Sequence, residues 1–267
     1  MEGDLEELLL RRFGESLDVP AEFSDDPVLV EMAGHRTVRK YSEREIQPEL
    51  LRTVCACALS APSKSDLQQA DIVLVSDGDI RASIAKFVPS MPWVREAPAF
   101  VVVCGNNRRQ RAIAELHDVE FPNDHLDPFF NATVDAGMVL AQLLRAAGAV
   151  GLGSCPISVI RDHAAEVSKL LALPDFVFPV AGVCLGYPAE QRGISPRLDL
   201  SLTLHEDRYD ERSWQENLEA YDSRREAVHA GWGHDGFRWS RAKALQYSTR
   251  QRADFGEFIR SKKFRLE

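Results

Sequence analysis

No uninterrupted apolar stretch in the chain approaches the roughly 18 residues needed to span a bilayer, which excludes a helical membrane protein. The start, Met1-Glu2-Gly3-Asp4, lacks the basic region and apolar core of a secretory leader. Cysteine is scarce and odd in number: five residues, scattered among apolar neighbours, point away from a disulfide framework. They read as reduced, mostly buried thiols in a cytoplasmic protein. Net positive charge is missing too. Lys and Arg number 32 against 41 Asp and Glu, a net of −9, which argues against nucleic acid or a membrane surface as partner. There is no internal repeat, no low-complexity segment and no Gly-x-Ser-x-Gly nucleophile elbow.

What is present is ordinary for a globular chain: 267 residues, 45% hydrophobic and 27% charged. That length supports a sizeable core without metals or disulfides, in one large domain or two modest ones. Charge is unevenly placed. Residues 1–26 carry nine acids against Arg11 and Arg12, and residues 238–267 carry nine bases against three acids. The reading is an acidic N-terminal extension over 1–26 and a single domain over 27–267. Within that domain 238–267 forms a basic arm, either solvated or packed on an acidic surface such as a partner subunit.

Leu5, Leu8 and Leu9 predict a short amphipathic helix. Pro48 suits a first helical turn, with Leu50, Leu51, Val54, Cys55 and Ala58 on one face. Ala136, Leu140, Leu143, Leu144 and Ala147 predict a helix from about 128 to Gly148, which serves as its stop. Ile160, Ala164, Val167 and Leu171 predict another, N-capped by Ser158. Residues 211–225 and 238–260 also read as helical. The β-rich runs 71–76 and 99–104 predict strands covered on both faces, and 176–185 a third, weakened by Pro179 and Gly182. A short extended piece fits 150–155. Few buried strands among long helices indicate an α/β or α+β three-layer domain.

Four segments could carry chemistry. His35-Arg36-Thr37-Val38-Arg39-Lys40-Tyr41 places two arginines and a hydroxyl close together, which suits a phosphate as well as a solvated turn. Ala61-Pro62-Ser63-Lys64-Ser65-Asp66-Leu67-Gln68-Gln69 is dense in short polar groups, as a ligand loop or a plain connection would be. Gly148 to Ser158 is glycine-rich but follows a helix and lacks the Lys of a Walker loop, so its glycines read as a cap and turn. The turn delivers Pro156-Ile157 in extended form and frees the N–H groups of Ser158 and Val159. Ser195-Pro196-Arg197 offers a pre-oriented arginine, a surface ion pair as readily as a ligand contact.

These segments, in this order, resemble the FMN-dependent nitroreductase and NAD(P)H-flavin oxidoreductase family, particularly its larger NADPH-type oxygen-insensitive branch. The likeness runs from about Gly34 to Tyr209 and continues through Trp239-Ser240. It implies an α+β fold with a mixed, mainly antiparallel sheet wrapped by helices. It also implies a homodimer with two FMN sites at its interface and exchanged C-terminal segments. His35, Arg36, Thr37 and Arg39 would hold the FMN phosphate and ribityl chain. Ser63, Lys64 and Ser65 would approach from the other subunit. Pro156 and Ile157 would lie on the ring face, Ser158 and Val159 near its reactive nitrogen, and Ser195 and Arg197 near the phosphate or pyrimidine edge.

The chain departs from the family pattern in several places. Thr37 replaces a serine, Lys64 adds a cation, and Ser158-Val159 replaces a Gly-Gly pair. Ser195 replaces a lysine. The loop His229–Phe237, where the branch carries arginines for the extra phosphate of NADPH, has only Arg238 beside it. The expected activity is reduction of nitroaromatics, quinones or flavins by NADPH or NADH through bound FMN, with no protein general acid or base. A specialised FMN-dependent dehydrogenase or flavin-modifying enzyme and a non-catalytic flavin-binding protein are the alternatives. His117, Asp118, Asp124, His125 and Asp127 have metal-capable side chains, but they sit in a proline-flanked loop and no metal site is expected. Cys55 and Cys57 read as core packing, and His163 and His205 as structural.

Overall fold

The computed structural model describes residues 3–190 and 193–267. They form α1 (Leu5–Phe13), α2 (Pro27–Gly34), α3 (Pro48–Leu59), β1 (Ala70–Leu74), α4 (Gly78–Phe87), α5 (Trp93–Glu96), β2 (Ala99–Asn106), α6 (Arg108–Leu116), α7 (Leu126–Ala149), β3 (Gly153–Ile157), α8 (Ala164–Leu170), β4 (Val177–Gly186), α9 (Trp214–Ala230), α10 (Trp239–Tyr247) and α11 (Phe255–Ser261). No helix among them is long and apolar enough to cross a membrane. The chain divides into two compact units: residues 1–36 with 192–251, and residues 37–191 with 252–267.

The larger unit is built on one sheet, ordered β1-β2-β4-β3, with every neighbouring pair antiparallel. Strand alternation sorts its two faces. Val101 and Val103 of β2, with Val183 and Leu185 of β4, pack against Val54 and Ala58 of α3 and Ala136, Val139 and Leu143 of α7. Phe100, Val102 and Cys104 point the other way, onto Ile84 of α4, Val94 of α5 and Val167 of α8. Both faces of β2 are therefore dry, as its unbroken apolar run requires.

Pro179 does not exclude β4 from the sheet centre. The pairing shifts between Val103 and Cys104, so Val180 is left unpaired opposite β2. A bulge is where a sheet tolerates proline. The long helix runs past Gly148 to Ala149, and its left-handed stop is Gly151 at φ +75°. The helix expected after Ser158 begins instead as a 3-10 turn over Val159–His163 before α8.

The C-terminal segment supplies a third cluster in this unit. Phe258, Ile259 and Phe264 are buried with Phe178, Ala132 and Ala164. Lys262 Nζ donates to the Leu173 carbonyl at 2.7 Å and the Ser168 hydroxyl at 3.2 Å. Half of the segment read as a partner-embracing arm thus lines its own chain's core. Its basic charges conceal an aromatic pattern that has a place there.

The smaller unit has a modest core of Leu5 and Leu8 from α1, Val30 from α2, and Ile194. Helix α1 is specified by its ends. Asp4 caps it through the Glu7 N–H at 2.9 Å, Glu6 and Glu7 occupy the first turn, Arg11 and Arg12 the last, and Gly14 ends it at φ +78°. Helices α9 and α10 join through Asp222, which is 1% exposed and accepts from the Ser240 N–H at 2.9 Å and from its hydroxyl. Arg238 sits 3.4 Å from the same carboxylate.

Candidate functional site

In the smaller unit, His35, Arg36, Ser195 and Arg197 come from two segments far apart in sequence, and Arg12 ties them together. Arg12 is 6% exposed. Its Nε donates to the Ala33 carbonyl at 2.7 Å, one Nη to the Ser195 carbonyl at 2.8 Å, and the other Nη to the His35 carbonyl. The Arg12 carbonyl in turn accepts the Arg197 N–H at 2.6 Å. Arg224, ion-paired with Asp199, donates to the Arg12 carbonyl at 3.3 Å and the Arg197 carbonyl at 3.0 Å. The buried Tyr221 hydroxyl donates to the Pro196 carbonyl at 3.3 Å. Three successive carbonyls, those of Ser195, Pro196 and Arg197, are each held by a different side chain.

The cluster is electrostatically positive. Burial, then Arg197, then Arg36 pull the Arg12 guanidinium down to about 10, so it stays protonated at neutral pH. Burial, then Arg12, then Arg197 hold His35 below its ordinary value, which favours the neutral ring. Gathered cations of this kind are the donor chemistry that suits an anion.

In the larger unit, the sequence motif that begins at Thr37 lies along the free edge of β3. Thr37 bridges Ser154 in parallel, and the Val38 N–H donates to the Ser154 carbonyl at 2.9 Å. Gly153 permits this approach, because a Cβ there would stand 2.6 Å from Val38. Thr37 is thereby held beside Ser154, two residues before Pro156. Arg39 stacks over Trp93 with its guanidinium 5.5 Å from the ring centre. Tyr41 locks the turn by donating to the Val38 carbonyl at 2.8 Å, and burial raises its hydroxyl well above the ordinary value.

Ile157 is 4% exposed and belongs to the core, so its backbone rather than its side chain is available to a ligand. Pro156 and Val159 are half-buried, and Ser158 is exposed. The Ser158 hydroxyl meets Arg252 at 3.5 Å, and Arg252 pairs with Asp162 at 2.6 Å.

The Ser63–Ser65 segment is shaped by a residue the sequence reading missed. Asp135, buried on α7, accepts the Lys64 N–H at 3.0 Å and the Gln69 N–H at 3.1 Å. Gln69 also accepts from Asn107 Nδ2 at 3.0 Å. The Lys64 ammonium is 3.8 Å from Asp127. A lone acid on the core face of a predicted helix was the available signal for Asp135, as was Arg12 among the charges of 1–26.

The loop His229–Phe237 also differs from its sequence reading. Arg238 is committed to Asp222, while Arg225 of α9 stands 3.2 Å from His229 Nε2. Arg225 lies one helical turn before His229, outside the loop itself. His229 stacks on Phe237 with centroids 3.7 Å apart.

Elsewhere, Asp124 pairs with Arg111 at 2.5 Å and Arg265 at 3.0 Å, and His125 caps α7. Among the described residues no three His, Cys, Asp or Glu side chains gather as metal ligands. Cys55 is buried as expected, but Cys57 is exposed on the other side of α3. Burial pushes the Cys104 and Cys184 thiols up to about 12. His163 stacks on Phe87 at 4.8 Å, and the His205 ring lies tilted against Tyr209 at 4.4 Å. A hollow lined by Leu204, His205, Tyr209 and Trp214 contains none of the site residues.

The larger unit, an antiparallel sheet between helical layers, makes this an α+β protein. Residues 32–187 match the nitroreductase family, and residues 195–267 match its C-terminal domain. The chain belongs to the nitroreductase family. An FMN reductase [NAD(P)H] of Bacillus subtilis is 29% identical over 245 residues, covering 90% of this chain and 98% of its own. An NADPH-flavin oxidoreductase of Vibrio harveyi is 32% identical over 196 residues, covering 73% and 80%. The solved structure of NfrA2 from B. megaterium superposes with a TM-score of 0.86 at 28% identity, over 90% of this chain and 98% of that one.

Proposed function

We propose that this chain is an FMN-dependent oxidoreductase that reduces small electrophiles (nitroaromatics, quinones or flavins) with NAD(P)H. The observation that carries the reading is the cationic cradle. A buried Arg12 beside His35, Arg36 and Arg197 has the donor set and charge that a flavin phosphate requires. Bound FMN would supply the chemistry, a two-electron carrier alternately filled by the nicotinamide and emptied by the acceptor.

The protein's residues bind and orient. In the smaller unit His35, Arg36, Ser195 and Arg197 would meet the phosphate. In the larger unit Thr37 and Arg39 would meet the ribityl chain. Pro156 would offer its ring, and Ile157, Ser158 and Val159 their backbone, to the flavin rings. Ser63, Lys64 and Ser65 would serve the partner's site.

The same proposal includes a homodimer. Leu126, Phe130, Val134 and Met138, spaced four apart on α7, are 48%, 61%, 41% and 37% exposed. Such an apolar stripe suits burial against a second copy. Five free cysteines suit a reducing compartment, and the cytoplasm is the proposed location.

The test is reconstitution. Flavin-stripped protein is titrated with FMN, then assayed for NADH and NADPH oxidation with a quinone, a nitroaromatic and free riboflavin in turn. FMN-dependent turnover of at least one acceptor supports the reading. Tight FMN binding without turnover of any acceptor favours a flavin-binding protein instead.

A further inference from the structure

Arg12 lies outside the residues that match the family, which begin at 32. We propose that Arg12 is a positioning residue for the flavin phosphate: it fixes the two segments of the cradle and places a buried positive charge behind them. The proposal rests on the FMN reading above and assigns a binding role to the N-terminal helix.

The geometry points to this in three ways. Arg12 spreads its guanidinium over the carbonyls of Ala33, His35 and Ser195, joining segments more than 150 residues apart in sequence. Its own carbonyl takes the Arg197 N–H, so the backbone of Arg197 is set by the same residue. Its three hydrogen-bond acceptors are neutral, and the charges that act on it, Arg197 and Arg36, are cations.

A guanidinium so buried, among others of its sign, is costly unless an anion offsets it. A dianionic phosphate does so. Helix α1 is shaped for the task. Gly14 ends it where a Cβ would stand 2.6 Å from the Arg224 guanidinium, which also holds the Arg12 and Arg197 carbonyls.

The experiment separates a phosphate role from a folding role. Flavin-stripped wild type, Arg12→Met and Arg12→Lys are titrated with FMN and with riboflavin, which lacks the phosphate, and inorganic phosphate is added as a competitor. Met keeps the apolar stem in place while removing the charge. The expected result is a loss of about ten- to a hundredfold in FMN affinity for Arg12→Met. Riboflavin affinity should stay near wild type, and phosphate should compete more weakly.

Arg12→Lys, which keeps the charge but not the fork, should fall between the two. Equal weakening toward both flavins, unchanged FMN affinity, or a lysine variant no better than methionine would overturn the proposal. Should Arg12→Met fail to fold, Arg12→Lys decides: a loss selective for FMN supports the proposal, and an equal loss for both flavins overturns it. Wild type that binds neither flavin overturns the FMN reading, and this inference with it.

Discussion

Replacing Asp135 with alanine removes the buried carboxylate that accepts two backbone N–H groups of the Ser63–Gln69 loop. That loop places Ser65, Asp66 and Gln68 at φ +51°, +57° and +51°. Each left-handed residue costs about 1–2 kcal/mol, somewhat less for Asp, so the loop stores roughly 3–5 kcal/mol. Asp135 offsets this with charge-assisted bonds to the Lys64 and Gln69 amides at 3.0 and 3.1 Å. Two such bonds contribute about 3–6 kcal/mol. The two sums are of one size, and Ser63, Arg109 and Gln110 add further bonds to the same loop.

Alanine leaves both amides without an acceptor, at about 1–3 kcal/mol each, and relaxation of the loop recovers part of that. The expected destabilisation is about 2–4 kcal/mol, and about half that for Asp135→Asn, which keeps one acceptor oxygen. Urea unfolding at constant m-value measures it. Amide hydrogen exchange should show Lys64 and Gln69 exchanging faster while β2 is unchanged. An alanine variant within about 0.5 kcal/mol of wild type, with both amides still protected, would refute the reasoning.

Other outcomes are expected. Arg36→Ala should weaken FMN binding by about ten- to a hundredfold, read by fluorescence quenching; an unchanged Kd would remove Arg36 from the phosphate site. Phe130→Asp, in the middle of the α7 stripe, should give a monomer by light scattering at micromolar concentration, and a dimer there would place the interface elsewhere. The kcat/KM ratio of NADPH to NADH with one quinone should stay below about a hundredfold, equivalent to some 2.7 kcal/mol, because Arg238 is paired with Asp222 and Arg225 is the cation beside His229. A larger ratio would mean that the loop is better supplied with charge than these contacts indicate.

The fold was legible wherever a local pattern carried it. The apolar runs of β1 and β2, Pro48 at a helix start and the spacing in α7 each have a short-range cause. Pro179 misled because its tolerance depends on a bulge set by the partner strand, which no local pattern encodes. In the C-terminal segment the basic charges stand out, while the spacing of Phe255, Phe258 and Phe264 is what ties it to the cluster around Phe178. Residue type alone is what puts Arg36, Thr37 and Arg39 among the proposed ligand residues. Arg12 and Asp135 stayed hidden because their partners are backbone groups far away in sequence. A carbonyl or an N–H looks the same at every position. Only the fold shows that Arg12 reaches Ser195 and that Asp135 reaches Lys64.

The most direct test of the enzyme reading is an anaerobic absorbance spectrum of the FMN-loaded protein before and after one equivalent of NADH, and separately of NADPH. The yellow flavin band should bleach with at least one of the two and return when a quinone is added. A chain that takes up no FMN, or whose bound FMN stays oxidised with both nucleotides, would contradict the account.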